Sequence, residues 1–260
     1  MPKDTPRVYA IQTNVTDTHE AITFYEILGF KLLTPDYLPA VAPMQSGNTM
    51  LVLHKVKDKR ITRIEEAHLA MNMLTSNIDS LIDQLGGSGQ IEVLHNSKQS
   101  SAIGNWVSIR DPFGNIINLV EPDGIPYNSS GTEFFNVSVV IDDLNKASQF
   151  YNQILGFDIY SENYLPHALP LVTDGTISSI TLHDSNAQPV QFEYPNSTVS
   201  FLVLEVADLD DAMSELKSEG VQFIQDVPLE AAIGRYVVFK DPFGLVYEMV
   251  ELNESSKNGI

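Results

Sequence analysis

Ala102-Ile103-Gly104-Asn105-Trp106-Val107-Ser108-Ile109-Arg110-Asp111-Pro112-Phe113-Gly114 is read a second time as Ala232-Ile233-Gly234-Arg235-Tyr236-Val237-Val238-Phe239-Lys240-Asp241-Pro242-Phe243-Gly244. Eight of the 13 positions are identical, at an offset of 130 residues. A repeat of this kind sets the architecture before any single motif does. Working outward, Phe24-Tyr25-Glu26-Ile27-Leu28-Gly29-Phe30 returns as Phe150-Tyr151-Asn152-Gln153-Ile154-Leu155-Gly156-Phe157, one residue longer. Tyr37-Leu38-Pro39 with Pro43 returns as Tyr164-Leu165-Pro166 with Pro170, and Leu53-His54 as Leu182-His183. Four matches in one order mean a duplicated chain. The join falls in the Pro-, Gly- and Ser-rich stretch from Pro122 to Gly131, a linker composition. The expected modules are therefore residues 1–124 and 132–254.

Each half divides again. Val8 to Val15 reads as a strand, and Asp17 as an N-cap with Glu20 completing a capping box. Ala21, Phe24, Tyr25 and Leu28 then fall on one helix face, which Gly29 ends as a left-handed cap. Strands are expected at about Phe30 to Thr34 and Thr49 to Val56. A second unit opens with a strand near His68. Its helix presents Ile78, Leu81, Ile82 and Leu85 and is expected to stop at Gly86-Gly87. The last strand runs from Ile116 to Glu121. In the second half, one helix presents Ala147, Phe150, Tyr151 and Ile154, and the other Leu209, Ala212, Met213 and Leu216 before Gly220. Four strand-helix-strands units result. Each helix stripe must cover one sheet face, leaving the other face to enclose a cavity.

Composition narrows the function classes. The 260 residues are 43% apolar, enough for two packed cores. No apolar run approaches the roughly 18 residues that suggest a membrane span, and Met1 to Pro6 lacks the core of a secretion signal, so a cytoplasmic location is expected. With 34 acidic and 15 basic residues the net charge is −19, a field that repels phosphate backbones. Cysteine is absent, so any transition-metal site must use His, Asp or Glu. The expected partner is a small molecule, with neither nucleic acid nor membrane involved. A monomer or a homodimer satisfies this organisation. No phosphate-cradling glycine loop, nucleophile elbow, His-Glu-x-x-His or calcium loop is present; Leu85-Gly86-Gly87-Ser88-Gly89 follows a helix rather than preceding one.

The Phe-Tyr helix ending in Leu-Gly-Phe, the second helix ending in Gly, and the late Asp-Pro-Phe-Gly turn before a strand resemble the vicinal-oxygen-chelate superfamily. That family includes glyoxalase I, bleomycin-resistance proteins and extradiol dioxygenases. The resemblance runs from about Val8 to Leu252. It implies an α+β fold of four βαβββ units forming two tandem vicinal-oxygen-chelate barrel modules. Such a fold hosts lyases, dioxygenases and non-catalytic binders, so function rests on the site.

Catalytic relatives hold a divalent metal that chelates vicinal substrate oxygens. Their ligand places lie seven residues before the Asp that starts a first helix, at the equivalent place in the next unit, and four residues after the Gly of the late turn. In the first half these rules select Ala10, Ala70 and Asn118, with His68 two residues from Ala70. In the second half they select Asn136, Phe201 and Glu248. Glyoxalase-like members add a place matching Thr181, with His183 on the same strand face. A lone carboxylate falls short of the roughly three protein ligands a catalytic metal needs. No cofactor is therefore expected, and a divalent metal finds no support at the usual places.

Two residues are candidates for catalysis. Glu248, whose counterpart is Asn118, reads as a base of raised pKa in a half-apolar cavity, or as an ion pair with Arg235 or Lys240. His183 reads as its imidazole partner, or, since His54 repeats it without a Glu opposite, as a structural residue. Asn136, Thr181, Phe201, Tyr236 and the loop residue His167 complete a candidate ligand cavity in the second half. Trp106, Phe192 and Tyr194 suit either a planar ligand or core packing. The first expectation is a binder of a small, aromatic molecule without the usual metal site. The alternative is an enzyme: a metal-dependent lyase or extradiol-type dioxygenase with rearranged ligands, or a metal-free acid-base catalyst using Glu248. Glu121 and Glu251, repeated at the ends of the last strands, read as solvated rims.

Overall fold

The computed structural model describes residues 5–57, 68–88, 91–101, 103–123, 127, 131–185 and 200–257. The first unit comprises β1 (Arg7–Val15), α1 (Thr18–Ile27), β2 (Lys31–Leu32), β3 (Val41–Ser46) and β4 (Thr49–Lys55). The second has β5 (His68–Leu74), α2 (Ile78–Ser88), β6 (Glu92–Val93), β7 (Gln99–Ser101), β8 (Gly104–Arg110) and β9 (Ile116–Pro122). The third has β10 (Glu133–Ile141), α3 (Leu144–Ser148), β11 (Asp158–Ile159), β12 (Ala168–Val172) and β13 (Ser179–Asp184). The fourth has β14 (Ser200–Glu205), α4 (Leu209–Ser218), β15 (Gln222–Phe223), β16 (Leu229–Ala231), β17 (Gly234–Lys240) and β18 (Val246–Leu252), followed by α5 (Glu254–Lys257). The α+β class and the four units are those the repeat implies. No helix among the described residues is long and apolar enough to cross a membrane.

The helices start where the sequence signals. The Asp17 carboxylate accepts from the amides of His19 and Glu20, and Asp143 and Asp208 cap α3 and α4 in the same way. The helix of the third unit departs from expectation. After α3 it continues as a π-helical turn over Gln149–Ile154, with the Leu155 amide bonding the Phe150 carbonyl. One extra residue per turn is what a π bulge absorbs. The longer repeat of Phe150 to Phe157 therefore still places Tyr151 and Leu155 in the core, as Tyr25 and Leu28 are. The α2 helix runs through Gly86-Gly87 to Ser88 instead of stopping at the glycines. Strand β3, opposite β4, had no clear sequence signal.

Two nine-stranded sheets result, and each draws one unit from each half. The first orders its strands β15-β17-β18-β14-β1-β4-β3-β2, and the second β11-β12-β13-β10-β5-β9-β8-β6, with β16 and β7 attached to β17 and β8. The central seams are antiparallel, β1 with β14 and β10 with β5. Units one and four thus share a sheet, as do two and three, in place of the sequential pairing that modules 1–124 and 132–254 anticipated.

Alternation sorts the faces. Leu69, Met71, Ile117, Val137, Val139 and Leu182 join the helices in one apolar core that continues behind the first sheet through Ile11, Leu51, Leu202 and Met249. Tyr25 and Tyr151 are buried there, and each hydroxyl bonds the Asp of a late turn, Asp111 at 2.8 Å and Asp241 at 2.9 Å. Tyr25 belongs to the first sheet's unit and Asp111 to the second's, so the bond ties the two sheets together. The Glu121 and Glu251 carboxylates accept from the first amides of α2 and α4, Ile78 and Leu209. They are helix caps, not solvated rims, and their recurrence in both halves was the overlooked signal.

Candidate functional site

The other face of the second sheet lines a cavity of about 660 Å³. Across its floor runs a single row of polar side chains. β5 lies between β9 and β10, in a register that sets Asn72 beside both Asn118 and Asn136. Ser108 Oγ donates to Asn118 Oδ1 at 2.6 Å, and Asn118 Nδ2 to Asn72 Oδ1 at 2.7 Å. Asn72 Nδ2 donates to Asn136 Oδ1 at 2.6 Å and to Ser138 Oγ at 2.8 Å, and Asn136 Nδ2 to Thr181 Oγ1 at 3.0 Å. Ser138 Oγ also meets His183 Nε2 at 3.1 Å. The three amides are 6 or 7% exposed, so this chain satisfies groups that would be costly to bury alone.

The ladder includes Asn136, Thr181 and Asn118, three of the ligand places that the family resemblance selects. Beside Asn118 and Asn136 the strand register sets Asn72 rather than Ala70. Ala70 and Asn72 share a face, and only the pairing register tells which one aligns with Asn118 and Asn136. In the first sheet the same register selects Val203 in place of Phe201, between Ala10 and Glu248. These residues do not fit a dissociable divalent ion. In the second sheet all four donors are neutral, and each amide oxygen already accepts a bond. In the first, Ala10, Val203 and Val52 offer no donor beside Glu248. Among the described residues no group of three or more His, Asp or Glu gathers anywhere.

The candidate residues fall in two separate places. Asn136, Thr181 and His183 line the cavity of the second sheet. Glu248, Phe201 and Tyr236 lie on the first sheet, where Phe201 and Tyr236 pack with Tyr9, Ala10 and Val250. A Glu248–His183 pair is therefore not formed, because pairing across the halves sends their strands to different sheets. Glu248 makes no ion pair with Arg235, which instead bridges Asp210 and Glu251 at 2.9 Å each. Set between Val203 and Val238, the Glu248 carboxyl is pushed up to about 7 by burial.

Burial pushes the His183 imidazole down to about 4, so it is neutral near pH 7. His54 stands in the same relation to Gln12, at 3.4 Å, as His183 does to Ser138. A central-strand partner in both halves favours the structural reading of this histidine. His167 is exposed, and Tyr164 of its loop lines the cavity instead. Trp106 also lines it, its ring edge-on to His95 with 4.9 Å between centroids. The sequence reading left out Asn72, Ser138, Tyr160 and Tyr164, of which Tyr164 alone carried a signal, its place in a repeated loop. Phe192, Tyr194 and the His68 side chain lie outside the described residues.

Helix-backed sheets, each built from paired βαβββ units, with a cavity on the far face of the second, define a glyoxalase-like fold. Residues 134–249 match the family model of the Glyoxalase/Bleomycin resistance protein/Dioxygenase superfamily. An uncharacterized protein of Bacillus subtilis, YetH, is 26% identical over 118 residues, covering 44% of this chain and 94% of that protein. Glyoxalase I from Zea mays shares the fold with a TM-score of 0.67 at 18% identity, over 95% of this chain and 93% of that one. A putative dioxygenase from Bacillus subtilis does so with a TM-score of 0.63 at 13% identity, over 96% and 86% of the two chains.

Proposed function

We propose that the protein binds a small, partly aromatic molecule in the second sheet's cavity, without a resident metal ion. The observation that supports this reading is the amide ladder. Four places suited to chelation hold Asn72, Asn118, Asn136 and Thr181, whose polar groups bond one another. The cavity above them is lined chiefly by apolar and aromatic side chains, the usual make-up of a small-molecule pocket. Nile red, a neutral polycyclic dye, tests the reading by its emission on binding. Saturable, equimolar binding is expected, and Ala168→Trp, which fills the wall while sparing the ladder, should abolish it. Elemental analysis of protein purified without chelator belongs to the same test. One ion per chain, lost on Asn136→Ala, would refute the metal-free reading.

One observation favours a second reading, metal-free acid-base chemistry at Glu248. A carboxyl held near 7 among apolar neighbours exchanges protons readily at neutral pH. Carbon-13 NMR of the Glu248 carboxyl should show a midpoint near that value. An ordinary carboxylate midpoint removes the basis for this chemistry.

A further inference from the structure

Among the described residues that line the second-sheet cavity there is no Asp, Glu, Lys or Arg, although the chain carries a net charge of −19. The one titratable group on the floor, His183, is held neutral near pH 7. We infer that this cavity selects uncharged, planar ligands that bring a hydroxyl or carbonyl group to the amide ladder, and that it discriminates against carboxylates, phosphates and amines. The inference rests on the binding reading above and names the chemical class of its ligand.

Geometry divides the cavity by chemistry. Thr181, Asn136, Asn72 and Asn118 stand on the four middle strands β13, β10, β5 and β9. Trp106 stands on β8 to one side, and Tyr160 and Tyr164 flank the start of β12 on the other. A polar stripe therefore runs between aromatic flanks, an arrangement that receives a ring system with oxygen at its edge. Asn118 and Asn136 each spend one N–H in the ladder and keep a second, and their oxygens keep a second lone pair, which suits a hydroxyl or carbonyl in either role. An ion has no such match, because burying a charge without a counter-charge is strongly unfavourable.

The acidic surface does not reverse this for cations. At physiological salt the field of distant surface charges is screened beyond about 8 Å. The desolvation of an ammonium inside the cavity is not. The duplicated half sharpens the contrast: the place of Asn118 is taken in the first sheet by Glu248, so the two sheets differ in charge at corresponding positions.

Calorimetric titration with 2-naphthol, 2-naphthoate and 2-naphthylmethylammonium, at neutral pH and physiological salt, isolates charge at nearly constant shape. The naphthol is expected to bind at least about tenfold more tightly than either ion, and Ala168→Trp to remove its binding. Asn118→Asp, isosteric but anionic, should raise ammonium affinity about tenfold over the parent and weaken naphthoate further. Thr181→Asp repeats that test at the other end of the ladder if the first variant fails to fold. Equal binding of all three compounds, lost in Ala168→Trp, would overturn the preference for uncharged ligands while leaving the binding reading standing. Binding of neither naphthol nor Nile red would overturn both.

Discussion

Glu248 has a folded pKa of about 7 against an ordinary 4.5, and that difference acts on the whole fold. Between those values the native state holds a proton that the unfolded chain has released, so stability falls as pH rises through the interval and then levels off. The displacement corresponds to about 3 kcal/mol above the folded value. His183 works in the opposite sense: its imidazole, lowered to about 4, adds stability that is lost as pH falls from 6.5 through that value. Comparing Glu248→Gln with the parent cancels His183. Urea denaturation should find the variant more stable above the folded value, by up to about 3 kcal/mol, and equal below the unfolded one. Parallel pH profiles would show that the carboxyl is not displaced. The amide ladder makes a separate prediction. Asn72→Ala takes away bonds to Asn118, Asn136 and Ser138, leaving buried groups unmatched at a cost of about 2–4 kcal/mol in the same measurement.

Helices and turns were the elements most legible in the sequence, because their signals are local. Asp17, Asp143 and Asp208 start helices by accepting nearby amides, and Gly29 and Gly156 end them at positive φ, +87° and +78°. Strand register is a relation between distant segments, and alternation settles a residue's face without settling its row. Counting along the chain therefore reached Ala70 and Phe201, each one step of the alternation short of Asn72 and Val203. The hydroxyl-carboxylate ties escaped for the same reason, since Tyr151 and Asp241 lie 90 residues apart. Their weight is measurable. Tyr151→Phe keeps the ring and removes the bonds to Asp241 and Tyr247, at an expected cost of about 1–3 kcal/mol. A double-mutant cycle with Asp241→Asn should return a coupling of similar size, and strict additivity would show that the bond is not a determinant of stability.

The repeat reveals that the chain holds two like halves, but not which units share a sheet, and the molecule's organisation turns on that. Both seams, β1 with β14 and β10 with β5, join strands from opposite halves. The ladder crosses the second seam between Asn72 and Asn136, so the cavity floor belongs to neither half alone. Residues 1–124 by themselves would expose the inner edges of β1 and β5 as long unpaired strands, and residues 132–254 those of β10 and β14. Such edges seek partners. The units are alike by duplication, so two copies of one half can form both seams with each other: unit one of each copy beside unit two of the other. Each half expressed alone should therefore run as a homodimer or aggregate in size-exclusion chromatography with light scattering. Co-expressed halves should form a one-to-one complex that recovers Nile red binding, since only that pairing rebuilds the Asn72–Asn136 bond. A half that remained a monomer with cooperative unfolding would mean that the seams are not what holds the sheets together. The connection between the halves would then place the second half against the first without stabilising either.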